Sequence, residues 1–332
     1  MLGGRSEAIV VVIAVMLALS LVTVCLRCFV RLRVVKTFGW DDSLMALAMI
    51  FNLAFAICGL MGATFGIGRR LVYFQDHPSD FRRALFCWWL GQIFYVLTTT
   101  TMRQSIVIFL FRFTFERVYN ITLYAVSILS FAMGMVFLFF TIFQCSPVAF
   151  YWNRLTMRGH CTDVDILTDI VYCYSAVAAA CDLTIGLLPA FLLRNLRATR
   201  RTKIGIAVIL GIGCVASAAV IVRIPFLESL KSKEVLHATS QVSIWSNVEA
   251  SLGITAGSLA PLRPLLRILS DAIASFNYQQ VLIRIKRVSN SPEQNNAEVC
   301  SVPATAPEQS YDPDSENSMT GDDTSPGLAP GV

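Results

Sequence analysis

Residues 8–36 read AIVVVIAVMLALSLVTVCLRCFVRLRVVK: nineteen uncharged residues, then Arg27, Arg31, Arg33 and Lys36. A bilayer core about 30 Å thick takes about 20 apolar residues of helix to cross, so this run is long enough to span. A secretory leader would carry a basic stretch before its apolar run. Here the basic residues follow it, which marks a retained helix whose C-terminal end stays on the cytosolic side.

Further runs of the same kind recur downstream. With the first they give seven predicted spans: 8–30, 42–63, 84–111, 121–144, 166–193, 204–226 and 242–269. The chain has 332 residues, 55% hydrophobic and 15% charged, with a mean hydropathy of +0.62. Soluble domains carry about 25% charged residues, so lipid is the main solvent expected for this chain. The fold class expected is an all-α membrane protein, a seven-transmembrane helix bundle with its N-terminus outside and its C-terminus cytosolic. Residues 1–7 then form a short extracellular N-terminus, 8–269 the transmembrane domain, 270–291 a basic helix on the inner leaflet, and 292–332 a cytosolic tail. The tail is rich in Ser, Pro, Asp, Glu and Asn and nearly free of large aliphatics, a composition that cannot offset the entropy of ordering.

The charges support that orientation. Sixteen Lys and Arg fall in segments assigned to the inside against nine outside, with the loop from Thr64 to Arg83 as dissent. The net charge of +5 is scattered in short clusters between apolar runs. It therefore reads as topology-setting and lipid-contacting charge; membrane lipid is an expected partner and nucleic acid is not. Cys145 and Cys161 flank the loop after the fourth span, a compartment that oxidises thiols only if it faces out. A disulfide between them is expected, with Cys87 at the outer end of the third span as a competing partner. Asp41 and Asp42 open the second span, where carboxylates cap exposed amides and are within reach of cytosolic arginines such as Arg112.

Ionisable side chains at bilayer depth normally face the bundle interior and have partners. Four fall inside the predicted spans and suggest two pairs: Arg103 with Asp182 in the inner half, and Arg223 with Glu249 in the outer half. Asp169 is an alternative partner for Arg223. The functional reading is a ligand cavity lined by Trp88, Trp89, Tyr95, Arg223 and Glu249, with the inner pair as a lock; the plainer reading is that the pairs fix helix register. Gly253 and Gly257 read as close-packing positions. No H-E-x-x-H, P-loop, G-x-S-x-G or dinucleotide fingerprint is present, so neither an enzyme nor a metal site is expected.

Several boundary motifs occur in a specific order: RLRVVKTFGWDDSLM, FGIGRR, SIVIFLFRF, C-P-(x4)-W…GHC, CDLTIGLLP and IWSNVEASLGI…LAPLRPLL. Together they resemble the fungal rhodopsin-domain family, seven-helix integral membrane proteins that include receptor-like proteins linked to plant infection. The resemblance covers about residues 24–269. Arg103 stands where the family often has Lys, and Arg70 where a His is common. The first seven residues lack the cysteine-rich module of some members, which weighs against a protein or surface ligand.

The resemblance implies a plasma-membrane receptor for a small or amphipathic molecule. Its signal would leave through Arg112, Arg117 and the basic loop containing Arg197, Arg200 and Arg201 to a cytosolic partner. A transporter or a lipid-modifying membrane enzyme is the alternative. Retinal is not expected as a cofactor, because a Schiff base needs a lysine buried in the bundle and all five lysines lie outside the predicted spans.

Overall fold

A computed structural model describes residues 6–68, 77–112, 114, 116–154, 156–194 and 235–262. They form α1 (Ser6–Phe29), α2 (Trp40–Thr64), α3 (Pro78–Phe111), α4 (Arg117–Phe143), α5 (Val164–Arg194) and α6 (Val235–Leu259), with two short strands, β1 (Cys145–Ser146) and β2 (His160–Cys161). Among the described residues, five helical segments are long and apolar enough to cross a membrane: Ser6–Val34, Trp40–Thr64, Pro78–Phe111, Arg117–Phe143 and Asp165–Leu188. The predicted sixth span (204–226), the interfacial segment (270–291) and the tail (292–332) lie outside the described residues.

The side chains are distributed as lipid would require. On α4, Ile121, Tyr124, Ile128, Phe131, Phe139 and Phe143 form a stripe of exposed large hydrophobics at helical spacing, while Ser130 and Thr141 are buried. Inside the bundle lie Asn52, Thr98, Thr99, Arg103, Ser105, Ser246, Asn247 and Glu249. Water would favour the reverse arrangement; in hydrocarbon the polar groups seek one another and the apolar ones face out. α6 is the polar exception among the helices. Ser243, Ser246, Asn247, Glu249, Ser251 and Thr255 are all buried, and other helices shelter it.

α3 is central: it packs along α2 and also meets α4 and α6, while α1 lies against α2 and α6 and α4 joins α5. Small residues set the close approaches. Gly134 of α4 lies against Thr100 of α3, Gly253 against Met102, and a Cβ on Gly257 would come within 2.8 Å of Met45 and 2.9 Å of Ile106. The paired glycines of α6 therefore serve contacts within the bundle.

Local chemistry explains the helix ends. α2 closes with Gly66 at φ 107°; the Gly66 N–H bonds Ala63 O at 3.3 Å and the Ile67 N–H bonds Gly62 O at 2.8 Å, the two bonds of a Schellman cap. This is the FGIG stretch. α6 departs from expectation: it begins at Val235 and gives way at Leu259 to a 3-10 turn, Ala260–Leu262. The expected start at 242 is thereby corrected, and residues 263–269 of that assignment lie outside the described residues. Pro261 offers no N–H and disfavours helical backbone at the residue before it, which ends the helix.

The loop after α4 carries the disulfide. Cys145 and Cys161 face each other across β1 and β2 and are bonded, whereas Cys87 is a free thiol. The loop thus closes on itself at the end of the bundle where α2 and α4 finish. The opposite end is where α1 meets α2.

Candidate functional site

The two ends of the bundle carry different chemistry, and α3 and α6 connect them. Where α1 meets α2, the helix widens into a π turn, Val30–Val34, just after Arg27. Arg27 donates from Nε to Asp42 Oδ1 (2.8 Å) and from its terminal nitrogens to Asp41 Oδ2 (2.9 Å) and the Gly257 carbonyl of α6 (2.8 Å). Arg31 approaches the same two carboxylates at 3.4 and 3.5 Å, and Arg112 reaches Asp41 Oδ1 at 2.8 Å. Both Arg27 and Arg31 lie over the Phe109 ring, 5.8 and 5.7 Å from its centre. Asp42 also accepts from the Gly39 N–H at 3.2 Å, and Ser105 of α3 donates to the Asp41 carbonyl at 2.6 Å.

The aspartates therefore cap α2 and hold arginines at once. Arg27 is only 1% exposed and both aspartates 0%. Reading Arg27 and Arg31 purely as topology charges is corrected here. The pattern of two arginines one turn apart, followed by a helix opening in WDD, carried the information, but charge counting alone does not detect pairing.

Deeper in the bundle, Arg103 of α3 makes a bidentate pair with Asp182 of α5, Nε to Oδ1 at 2.7 Å and a terminal nitrogen to Oδ2 at 2.9 Å. Glu249 of α6 sits 3.5 Å from the same guanidinium and accepts the Tyr95 hydroxyl at 2.8 Å. Three helices thus meet at one charge cluster where two separate layers were expected. The reason is the register of α6: a start at Val235 puts Glu249 near mid-helix rather than in its outer half. The expected partner Arg223 lies outside the described residues, and Asp169 is exposed on α5.

Above this cluster, toward the disulfide end, is a cavity of about 70 Å³. Its walls include Phe55 and Cys58 of α2, Cys87, Trp88, Gly91, Gln92 and Tyr95 of α3, Phe137 of α4, Val171 of α5, and Val242, Ser243 and Ser246 of α6. Tyr95 is the element shared by cavity and charge cluster. Trp88 and Tyr95 lie where a ligand wall was expected. Trp89 does not: its indole donates to the Thr141 carbonyl of α4 at 3.0 Å and its ring packs 5.1 Å from Trp152 of the disulfide loop. Adjacent residues on a helix point about 100° apart, and this turns Trp89 from the wall that Trp88 lines toward α4 and the disulfide loop.

The disulfide loop also reaches the cavity wall. Its 3-10 turn, Val148–Tyr151, buries Tyr151, which hydrogen-bonds the Trp88 side chain; burial pushes the phenol up to about 12. It stays neutral at physiological pH and accepts the indole N–H. Participation of α2 and α4 was missed from sequence, because Phe55, Cys58 and Phe137 are ordinary residues for a packed membrane helix.

A family model, the fungal rhodopsin domain, matches residues 26–268. The chain belongs to the fungal rhodopsin domain family. Most of the helical bundle of this fungal rhodopsin domain, including both charge clusters and the cavity, falls within the matched residues. The chain is also similar to the wortmanamides biosynthesis cluster protein C of Talaromyces wortmannii, with 26% identity over 261 residues, 76% of this chain and 69% of that protein. No solved structure matches.

Proposed function

We propose that this fungal rhodopsin-domain protein is a seven-helix receptor of the plasma membrane, with its N-terminus outside and its tail in the cytosol. It senses a small or amphipathic molecule in the cavity at the disulfide end and signals from the opposite end. The positive-charge bias and the need of Cys145–Cys161 for an oxidising compartment support that orientation.

One observation carries the reading: Tyr95 lines the cavity and donates to Glu249, which faces Arg103 and, through it, Asp182. A ligand that moves Tyr95 alters a charge cluster joining α3, α5 and α6. α3 and α6 also contribute Ser105, Phe109 and the Gly257 carbonyl to the Arg27–Asp41–Asp42 cluster. Clusters with alternative pairings provide the two-state element that switching needs. Output then passes through Arg112, Arg117 and the basic segment with Arg197, Arg200 and Arg201, which lies outside the described residues. Retinal has no part in this proposal, and a ligand made by a biosynthesis cluster would suit the similarity to the Talaromyces protein.

Hydrogen exchange on the full-length protein in nanodiscs tests this reading, comparing samples with and without fungal small-molecule fractions. A fraction that alters exchange at Asp41–Ser43 and Arg112, and is recovered unchanged on the side where it was added, supports a receptor. Accumulation of its components inside proteoliposomes would replace that reading with a transporter, and conversion to a new mass with a lipid-modifying enzyme.

A further inference from the structure

We propose that the corner joining α1 to α2 binds an anionic phospholipid of the adjacent leaflet, with Arg33 and Lys36 on its headgroup and Phe38 and Trp40 at the boundary between headgroups and acyl chains. The proposal rests on the chain crossing a bilayer and is independent of the receptor reading.

The first argument is exposure. Residues 32–40, LRVVKTFGW, lead from the π turn into α2. Leu32, Val34, Val35, Phe38 and Trp40 are 55, 44, 37, 47 and 81% exposed, and Arg33 and Lys36, which lie among them, are exposed as well. Water alone suits only the two cations. At a membrane surface the rings and aliphatic groups leave water while the cations stay at the level of the headgroups.

The second argument is charge. Asp41 and Asp42, the carboxylates of this corner, are 0% exposed and are held by Arg27, Arg31 and Arg112. Three guanidiniums thus already face two carboxylates, and Arg33 and Lys36 add two further positive charges on the adjoining turn. A zwitterionic headgroup balances its own phosphate, whereas an anionic one brings the net negative charge that the corner lacks.

The third argument is the backbone. The Val35 N–H bonds Val30 O at 2.9 Å and the Thr37 N–H bonds Arg31 O at 3.2 Å, closing the end of the helix around Lys36. The φ of Lys36 is 54°, in the left-handed region where a helix end usually carries glycine or asparagine, because a Cβ is strained there. A lysine kept against that preference points to a use for its ammonium. The same π turn carries Arg31, so an anion on Arg33 and Lys36 acts on the segment that clamps the start of α2.

Native mass spectrometry of the purified full-length protein, in detergent with equal amounts of dioleoyl phosphatidylserine and dioleoyl phosphatidylcholine, tests the proposal. The expected result is retention of phosphatidylserine about tenfold over phosphatidylcholine, with that preference falling about fivefold in Arg33→Gln and likewise in Lys36→Gln. Lys36→Gly should lose the same preference while unfolding at or above the wild-type temperature in phosphatidylcholine nanodiscs, which separates loss of the ammonium from loss of the fold. Equal retention of the two lipids by the wild type, or an undiminished preference in the Arg33→Gln, Lys36→Gln double variant, would overturn the proposal. Displacement of the lipid by an equal concentration of inorganic phosphate would overturn it too, because the corner would then recognise a free anion.

Discussion

Arg103 has two carboxylates within reach and only one that it holds bidentately. Removing one member of a buried pair leaves the other charge uncompensated, which costs about 3–5 kcal/mol. Asp182→Asn should therefore lower the thermal stability of the purified protein strongly. Arg103→Gln combined with Asp182→Asn should recover part of the loss, and strictly additive defects in a double-mutant cycle would contradict the pairing. Gly39 makes the opposite case. Its backbone, φ −127° and ψ 177°, suits any residue, but a Cβ there would press on the Arg112 guanidinium. Gly39→Ala should displace that flexible, 41% exposed side chain from Asp41 and lower the unfolding temperature less than Asp182→Asn, because Arg27 still holds the buried Asp41 carboxylate. Unchanged Arg112-dependent output in that variant would show that Arg112 does not couple. Arg103 and Asp182 could be linked from sequence, since both are charges counted to similar depth from the same side. Glu249 was misplaced because its depth depends on where α6 begins, and hydropathy blurs that start in a helix with this many buried polar residues.

At the scale of the element, α4 carries the clearest signature of lipid. Ile128 is 68% exposed on a helix of high hydropathy, and an arginine there would enter hydrocarbon at a cost of about 2.5–3.5 kcal/mol on insertion scales. Ile128→Arg should reduce membrane insertion measured by carbonate extraction, whereas Ile128→Leu should leave it intact. Equal insertion of both would contradict the lipid-facing assignment. Gly134→Leu on the opposite face should force α3 and α4 apart at Thr100 and cost about 1–3 kcal/mol as overpacking, read as a lower unfolding temperature. Hydropathy placed α1 to α5 because each presents a long, predominantly apolar run with few charges. The α-helix of the last span gives way at Leu259 to a 3-10 turn at Ala260–Leu262, a change that hydropathy does not register because LAPLRPLL stays apolar, whereas Pro261 disfavours helical backbone. The π turn after Phe29 has no comparable signature in the sequence.

Across the molecule, the Cys145–Cys161 bridge joins residues 16 apart, which by the chain-entropy model contributes about 3 kcal/mol. Its reduction, or paired Cys145→Ser and Cys161→Ser substitutions, should lower the unfolding temperature and release Tyr151 from Trp88. The change should be readable as an altered tryptophan emission maximum, and unchanged stability and emission would separate the loop from the cavity wall. The central claim is that signals pass from an outside cavity to a cytosolic face and tail, which with the N-terminus outside requires an odd number of crossings. Glycosylation acceptors inserted one at a time at Arg158, Ser232 and Gln309 test this directly. The account predicts modification at Arg158 and Ser232 and none at Gln309; a modified Gln309 site, or an unmodified Arg158 site, would contradict it.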